Sequence, residues 1–451
     1  MSAAAVTVAL NKALAEIAAN EGFKKPGFHF DSDDTPPDGF TSLVHRVTIT
    51  DKEDRQKPSL SVISKTSIDV LAGDLNSQFY ATEGHMYKTV LPAMTKIAGF
   101  SDPLPWPSGR RSGPFPDAPV LSPKVLDRSV ACRCYYTSEP GTSPDMVTLG
   151  DLGPEGFVVA DRSVRMDEAH CRLALAQLAR FHGAGLALQA LRPDAFEAMR
   201  KGLHNPWPTE ESRERVMPFY KGIKITPDVV QDKFPVGSEV NKRLVKLFDA
   251  FESNNGAFMD PVAGPGFTLI HSDCHVNNML FQYDKASGAV KQCRLIDFQM
   301  VFHGNPAIDV VLVLFVCTDK PMRDKHWDAL LRGYHDEVQA VLKACGVPDP
   351  DAVYPWQLLQ DQLVTASTYG LCMTPLYHCG VFAGPEVVSE VRDFFNIPEN
   401  KTKTFPIRVT PTFKSRMEGL VEDVVRWGWL PSEEEVDRRV AAHAAHVNAT
   451  L

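Results

Sequence analysis

The chain has 451 residues, 44% of them hydrophobic and 23% charged, an ordinary globular composition long enough for two lobes. Its 47 basic and 56 acidic residues leave a formal net charge of −9, so the surface offers no basic footprint for nucleic acid or anionic lipid. Nine scattered cysteines without a CxxC pair fit the reduced thiols of a cytoplasmic protein and not a zinc motif.

Residues 3–20 place Leu10, Leu14 and Ile17 at helical spacing, and Gly22 supplies a stop. Lys12 and Glu16 interrupt any apolar core and no basic leader precedes it, so no export signal is expected. His29–Gly39 is acidic and turn-rich, Phe40–Thr50 alternates as a strand does, and Ser59–Lys65 reads as a second strand closing a hairpin. Residues 76–98 carry apolar and aromatic positions at helical spacing, with Pro92 expected to kink or end that helix. Six prolines between Ser101 and Pro119 exclude a helix or a central strand. Strand-like stretches return at Val120–Tyr136 and Asp145–Leu149, and then the period changes: Asp167–Gln189 is a helical pattern with an acidic first turn. The longest strongly apolar run, Ala307–Cys317, contains Asp309 and falls far short of the ~20 residues a membrane helix needs. The pattern implies an α+β chain: a small mixed-sheet lobe over residues 1–149 and a mostly helical lobe over 150–451.

The chemistry concentrates between Thr268 and Asp309. His271-Ser272-Asp273 is followed by Asn278, five residues after the aspartate, and Asp297 stands nineteen residues further on in a Leu-Ile-Asp-Phe context. Met279–Gln282 and Cys293–Ile296 read as short strands joined by the Lys285–Gly288 turn, which sets Asn278 and Asp297 at the two ends of one hairpin. Phosphoryl transfer from a nucleotide needs a carboxylate to orient the attacking hydroxyl, and oxygen ligands to hold Mg²⁺ across the phosphates. An Asp-x4-Asn loop followed by an aspartate at a strand end supplies them. On this pattern Asp273 is the candidate base, and Asn278 and Asp297 are the candidate metal ligands.

These residues resemble the aminoglycoside phosphotransferase-like kinases, and more closely their CHK-type, ecdysteroid kinase-like branch. The likeness rests on the His271-x-Asp273 loop, the double asparagine Asn277-Asn278, and Ile296-Asp297-Phe298-Gln299, and it extends from about Gly39 to Leu342. It implies a bilobal protein-kinase-like fold, ATP and Mg²⁺ as cofactors, and a small-molecule alcohol as acceptor. It also implies an ATP-gripping lysine, matched by Lys65, and a helical carboxylate partner, matched by Glu83 in Glu83-x-x-Met86-Tyr87 before Val90-Leu91-Pro92. Gly39 to Ser42 stands where the family turns over the phosphates. Val147–Leu152 stands at the hinge, where the backbone of Thr148 and Leu149 would meet adenine. Asp309 matches the aspartate that opens a helix of the second lobe, and His182 reads as packing. The chain departs from the branch at Ser272, where a glycine is usual, at His275 and at Gly150.

Three other readings stay open at the level of sequence. The acceptor could be choline, ethanolamine or an aminoglycoside, for which an acidic or aromatic cage is needed. Trp327, Tyr334, Trp356, Tyr369 and Phe382, with Asp324, Asp328 and Asp361, are material for one, whereas a lipophilic alcohol calls for an apolar cleft. The chain could be a nucleotide-binding scaffold without turnover, or His271, Asp273 and His275 could ligate a hydrolytic metal.

Overall fold

The computed structural model describes residues 3–31, 42–67, 74–98, 131–139, 144–161, 164–203, 210–259, 264–382, 390, 393–394 and 397–450. Gly39, the proline-rich Ser101–Pro119 segment and the first part of the expected Val120–Tyr136 strand lie outside them.

Helix α1 (Ala3–Asn20) turns Leu10, Ala13, Leu14 and Ile17 onto the sheet, where they meet Val47, Ile49, Val62 and Met146 in a small separate core. Gly22 ends it in the left-handed region (φ +75°), which lets the Gly22 and Phe23 N–H groups cap the carbonyls of Ala19 and Ala18. The sheet has the order β1-β2-β3-β5-β4, formed by Pro26–Phe30, Ser42–Asp51, Leu60–Ser67, Met146–Gly150 and Cys134–Thr137. All pairings are antiparallel, so the sheet is not mixed in strand direction. The Phe40–Thr50 and Ser59–Lys65 expectations land on β2 and β3, whereas β1 begins with Pro26-Gly27, a pair that reads as a turn. Proline is tolerated there because β1 is an edge strand and Pro26 opens it.

The helix expected at 76–98 runs as α2 (Asp74–His85), a π-turn over Met86–Val90, and α3 (Leu91–Ala98). Pro92 lacks an N–H and crowds the carbonyl one turn back, and the wider turn ahead of it accommodates both effects.

Beyond Gly150 helices predominate. Asp167 caps α4 (Glu168–Leu191) by accepting from the His170 N–H at 3.0 Å. α4 packs along β7 (Thr268–Ile270) at a close approach, where a Cβ on Gly185 would strike the Thr268 hydroxyl. Strands β6 (Phe157–Val159), β8 (Met279–Tyr283) and β9 (Val290–Leu295) form a second sheet, and β7 pairs with β10 (Phe302–Gly304). The remaining helices named here are α5 (Glu210–Ile223), α6 (Glu239–Asn254), α7 (Ala307–Val311), α8 (Lys320–Ala344), α9 (Trp356–Val381), α10 (Pro411–Arg426) and α11 (Glu433–Thr450). The apolar run seen in the sequence is α7 and the π-turn after it, buried throughout. One continuous core joins α3, α4, β8, β9 and the C-terminal helices, and the α2–α3 unit docks on it through Tyr87, whose ring lies 5.9 Å from that of Phe298. No helix among the described residues is long and apolar enough to cross a membrane.

Candidate active site

The loop between β7 and β8 carries His271 to Asn278, and Asp309 fixes its shape from below. The Asp309 carboxylate accepts from the backbone N–H groups of His271 and Ser272, each at 2.7 Å, while being wholly buried. His182 on α4 points Nε2 at the same carboxylate (3.0 Å), and its Nδ1 faces the Tyr334 hydroxyl (2.8 Å). Because a carboxylate only accepts, Nε2 carries a proton toward Asp309. His182 is thus more than packing: it holds the aspartate that holds the loop.

Ser272 and Asp297 are the two non-glycine residues at positive φ among those described, at +60° and +67°. L-residues sit there at a cost, and surrounding bonds must over-determine the conformation. At Ser272 the side chain contributes: its Oγ donates to the Met300 carbonyl at 2.6 Å.

Asp273 shares its carboxylate between two donors. Asn278 Nδ2 donates to Oδ2 at 2.9 Å and to the Asp273 carbonyl at 3.0 Å, and the Tyr377 hydroxyl donates to Oδ1 at 3.0 Å. The His275 imidazole lies 3.4 Å from Oδ1. Burial alone would raise this carboxyl, but His275, then His271 and the Tyr377 hydroxyl outweigh it and bring it down to about 2.

The hairpin expected between Asn278 and Asp297 is present. Met279 pairs with Leu295, and the Ile296 N–H donates to the Asn278 carbonyl at 3.1 Å, so the two loops meet at the hairpin's open end. From the other side Lys65 Nζ, on β3, reaches Asp297 Oδ1 at 2.5 Å and Glu83 Oε2 and Oε1 at 2.9 and 3.2 Å. Burial opposes the Lys65 charge, yet Asp297 and Glu83 together hold the ammonium well above its ordinary value. Burial pushes the Glu83 carboxyl up, and Lys65 acts against it. Glu83, Lys65 and Asp297 thus form one set of contacts and Asn278 and Asp273 another, and the Ile296–Asn278 backbone bond joins the segments that carry them. The Asn278 amide nitrogen is spent on Asp273, which leaves its oxygen, and the Asp297 carboxylate is 22% exposed. These are hard oxygen donors of the kind magnesium takes.

The other expected residues fall differently. Ser42 is buried at the start of β2 and accepts from the Tyr80 hydroxyl at 2.8 Å; it supports the helix bearing Glu83. Thr148 and Leu149 sit inside β5, with β3 on one side and β4 on the other, so ladder partners occupy their backbone. Thr148 also hydrogen-bonds Ser64 side chain to side chain at 2.8 Å. The His271 ring turns away from Asp273 to the Ile296 carbonyl (2.9 Å), and no group of three His, Cys, Asp or Glu side chains among the described residues could hold a metal ion. All nine cysteines are free thiols.

Of the aromatic residues considered for a substrate cage, Trp327 stacks on Trp427 at 4.2 Å, Tyr334 serves His182, and Trp356 carries the Arg332 guanidinium. Asp324 is taken by Lys320 and Arg426, and Asp361 by Gln357. Sequence reasoning missed Tyr377, the residue that does reach Asp273. It stands 104 residues away along the chain with no motif around it, and only its position on α9 marks it.

A search of curated proteins finds no match. Solved structures align over most of the chain: choline kinase from Cryptosporidium parvum Iowa II at 9% identity, over 96% of this chain and 99% of that chain, TM-score 0.42. The GDP complex of wild-type aminoglycoside 2'-phosphotransferase-IIIa aligns at 14% identity, over 86% of this chain and 97% of that one, TM-score 0.35. The sequence itself matches the family model over residues 36–347, more than two thirds of its length, and the chain belongs to the ecdysteroid kinase-like family.

Proposed function

We propose that the chain is an ATP-dependent phosphotransferase that moves the γ-phosphoryl group onto a hydroxyl of a small lipophilic alcohol, ecdysteroid-like in character, in the cytoplasm. The observation that carries this reading is the pair of contact sets, Glu83–Lys65–Asp297 and Asn278–Asp273, brought together where the Ile296 N–H donates to the Asn278 carbonyl.

Lys65, held by Glu83, would pair with the nucleotide phosphates, which compete with Asp297 for its ammonium. Asn278 and Asp297 would hold magnesium, which supplies charge neutralisation along the phosphates. Asp273 stays ionised at any working pH, because its carboxyl is held near 2. Ionised, it would orient the acceptor hydroxyl and take its proton as the oxygen bonds to the γ-phosphorus and the bond from that phosphorus to the β–γ bridging oxygen breaks, releasing ADP. Adenine would meet backbone beyond β5, past Gly150, since the Thr148 and Leu149 groups are already paired.

The surroundings of Asp273 favour a neutral acceptor over a cationic one. Tyr377 touches it, Tyr369 is buried beside Tyr377, and Asp324, one of the acidic side chains that could cage an amine, is neutralised by Lys320 and Arg426. The test is ADP release by the purified chain with Mg²⁺-ATP and a panel of alcohols running from sterols to choline. Turnover is expected with an apolar alcohol, and Asp273→Asn should lower kcat by about 10³-fold with ATP affinity retained. Retention of near-normal turnover in that variant would remove Asp273 from its role.

A further inference from the structure

Away from the Asp273 loop, the C-terminal helices enclose cations with too few acceptors. α10 places Arg416 inside the fold, with 8% of its surface exposed. Its Nη1 donates to the His378 ring on α9 (2.6 Å to Nε2), and its guanidinium carbon lies 4.5 Å from the centre of the Phe382 ring. Nε and Nη2 are buried, and neither has an acceptor among the described residues. Arg165 approaches the same Phe382 ring at 5.3 Å, and its Nη1 is likewise buried without an acceptor.

The nearby carboxylates already serve other groups or Arg165. Asp423 takes Arg323 Nε at 2.8 Å, Lys320 at 2.8 Å and Arg426 at 3.0 Å. Asp319 accepts from the Met322 N–H through Oδ1 and attracts Arg165 and Arg323, so Arg165 is the better balanced of the two unpaired guanidinium groups and Arg416 the poorer. His378 adds no negative charge: burial first, then Arg165 and Arg323, hold its imidazole down to about 3, so it is neutral and can accept from Arg416. Leaving a buried guanidinium without a counter-charge is far more costly than leaving one at the surface.

The geometry of the unpaired atoms says what would complete the set. Nε–H and Nη2–H leave a guanidinium from one edge, the fork that grips two oxygens of a single oxyanion side-on. With Arg165 Nη1 there are three unmet donors around one aromatic ring. A carboxylate presents two oxygens, and a phosphate group presents at least three.

We propose that Arg416 and Arg165 form a binding site for a phosphate-class oxyanion, seated against Phe382 and gripped by Arg416 Nε and Nη2 with Arg165 Nη1. The site is built from other side chains than the phosphotransfer centre, although one helix serves both. Tyr377, which reaches Asp273, and His378, which reaches Arg416, are successive residues of α9, and successive side chains on a helix diverge by about 100°. The proposal does not depend on turnover, and a binding measurement tests it whether or not the chain is a kinase.

The experiment is thermal unfolding of the full chain titrated with inorganic phosphate and, separately, with glycerol 3-phosphate, at constant ionic strength against chloride and acetate. A saturable rise in Tm is expected with at least one phosphate compound and a weaker one with acetate. The compound that saturates at lower concentration tells free phosphate from an esterified group. Arg416→Gln should abolish the saturable part. Arg416→Lys, which keeps the charge and loses the fork, should weaken it by at least about tenfold. Lys65→Ala should leave it unchanged, which separates this site from phosphate bound where the nucleotide would sit. Should Arg416→Gln not fold, Arg165→Gln, at a half-exposed position, carries the same expectation of weakened binding. No saturable shift in the wild-type chain, an equal shift in Arg416→Gln, or loss of the shift in Lys65→Ala would overturn the proposal.

Discussion

Two clusters of buried polar side chains stand side by side in this molecule and are balanced in opposite directions. Around the His271–Asn278 loop the carboxylates find donors: Asp309 takes two backbone N–H groups and His182, Asp273 takes Asn278 and Tyr377, and Asp297 takes Lys65. Around Phe382 donors outnumber acceptors, and Nε and Nη2 of Arg416 meet no acceptor among the described residues. A network whose charges are met from within the chain keeps one geometry before any ligand arrives, which is what a reacting centre needs. One that is not met lacks a partner, which is what a binding site leaves open. The phosphate titration probes the second cluster, and substitutions in the first show how much its internal balance contributes.

The largest effect is expected at Asp309. In Asp309→Asn an amide that can donate faces the N–H groups of His271 and Ser272 and the protonated nitrogen of His182, all within one dry pocket. Breaking a buried, fully used charge in this way costs about 3–5 kcal/mol. Denaturant unfolding should register that loss, and turnover should fall with it because the loop bearing Asp273 loses its anchor. A stability change below about 1 kcal/mol would mean that the loop is held by its packing instead.

The sequence shows this first cluster better than the second, and for a physical reason. Asp273, Asn278 and Asp297 are spaced by a loop and a hairpin whose geometry is local, so their convergence can be read from the order of residues between Thr268 and Asp309. Lys65 and Glu83 sit on a strand and a helix that adjoin in the chain, and they meet as their order suggests. The π-turn before Pro92 also follows from one residue's covalent chemistry. Other features are set by tertiary packing and leave no local pattern. Tyr377 meets Asp273, and Arg416 meets His378, only because α9 crosses the loop and α10 lies against α9. The Thr148–Leu149 segment was placed at the adenine contact by resemblance, yet the pairing of β5 on both sides becomes apparent only when β4 is seen to return beside it. Strand β1 was hidden by Pro26-Gly27, whose turn-like composition is compatible with an edge strand.

A middle-sized effect is expected where the first cluster touches α9. Tyr377→Phe removes the hydroxyl that donates to Asp273 Oδ1 and leaves the ring, which lies 5.5 Å from that of His275, in place. Losing one hydrogen bond to a charged group should lower kcat by about tenfold, with KM for ATP unchanged, because the carboxylate loses its fixed direction and the nucleotide contacts do not. A purely structural tyrosine would instead lower Tm and leave kcat alone. That split decides whether Tyr377 is a positioning residue.

The smallest effect is expected at Ser272, and there the sign carries the information. Its left-handed conformation costs about 1 kcal/mol or more in an L-residue, and glycine would remove that cost. Its hydroxyl, however, donates to the Met300 carbonyl inside the fold, a bond worth about 1 kcal/mol that glycine forfeits. The two terms nearly cancel, so Ser272→Gly should change unfolding free energy by less than about 0.5 kcal/mol. Ser272→Ala keeps the strain and loses the bond, and should cost about 1–2 kcal/mol. If alanine proves as harmless as glycine, the hydroxyl is not what lets a serine occupy this left-handed position. Asp309, through its bond to the Ser272 N–H, would then account for the loop's shape by itself.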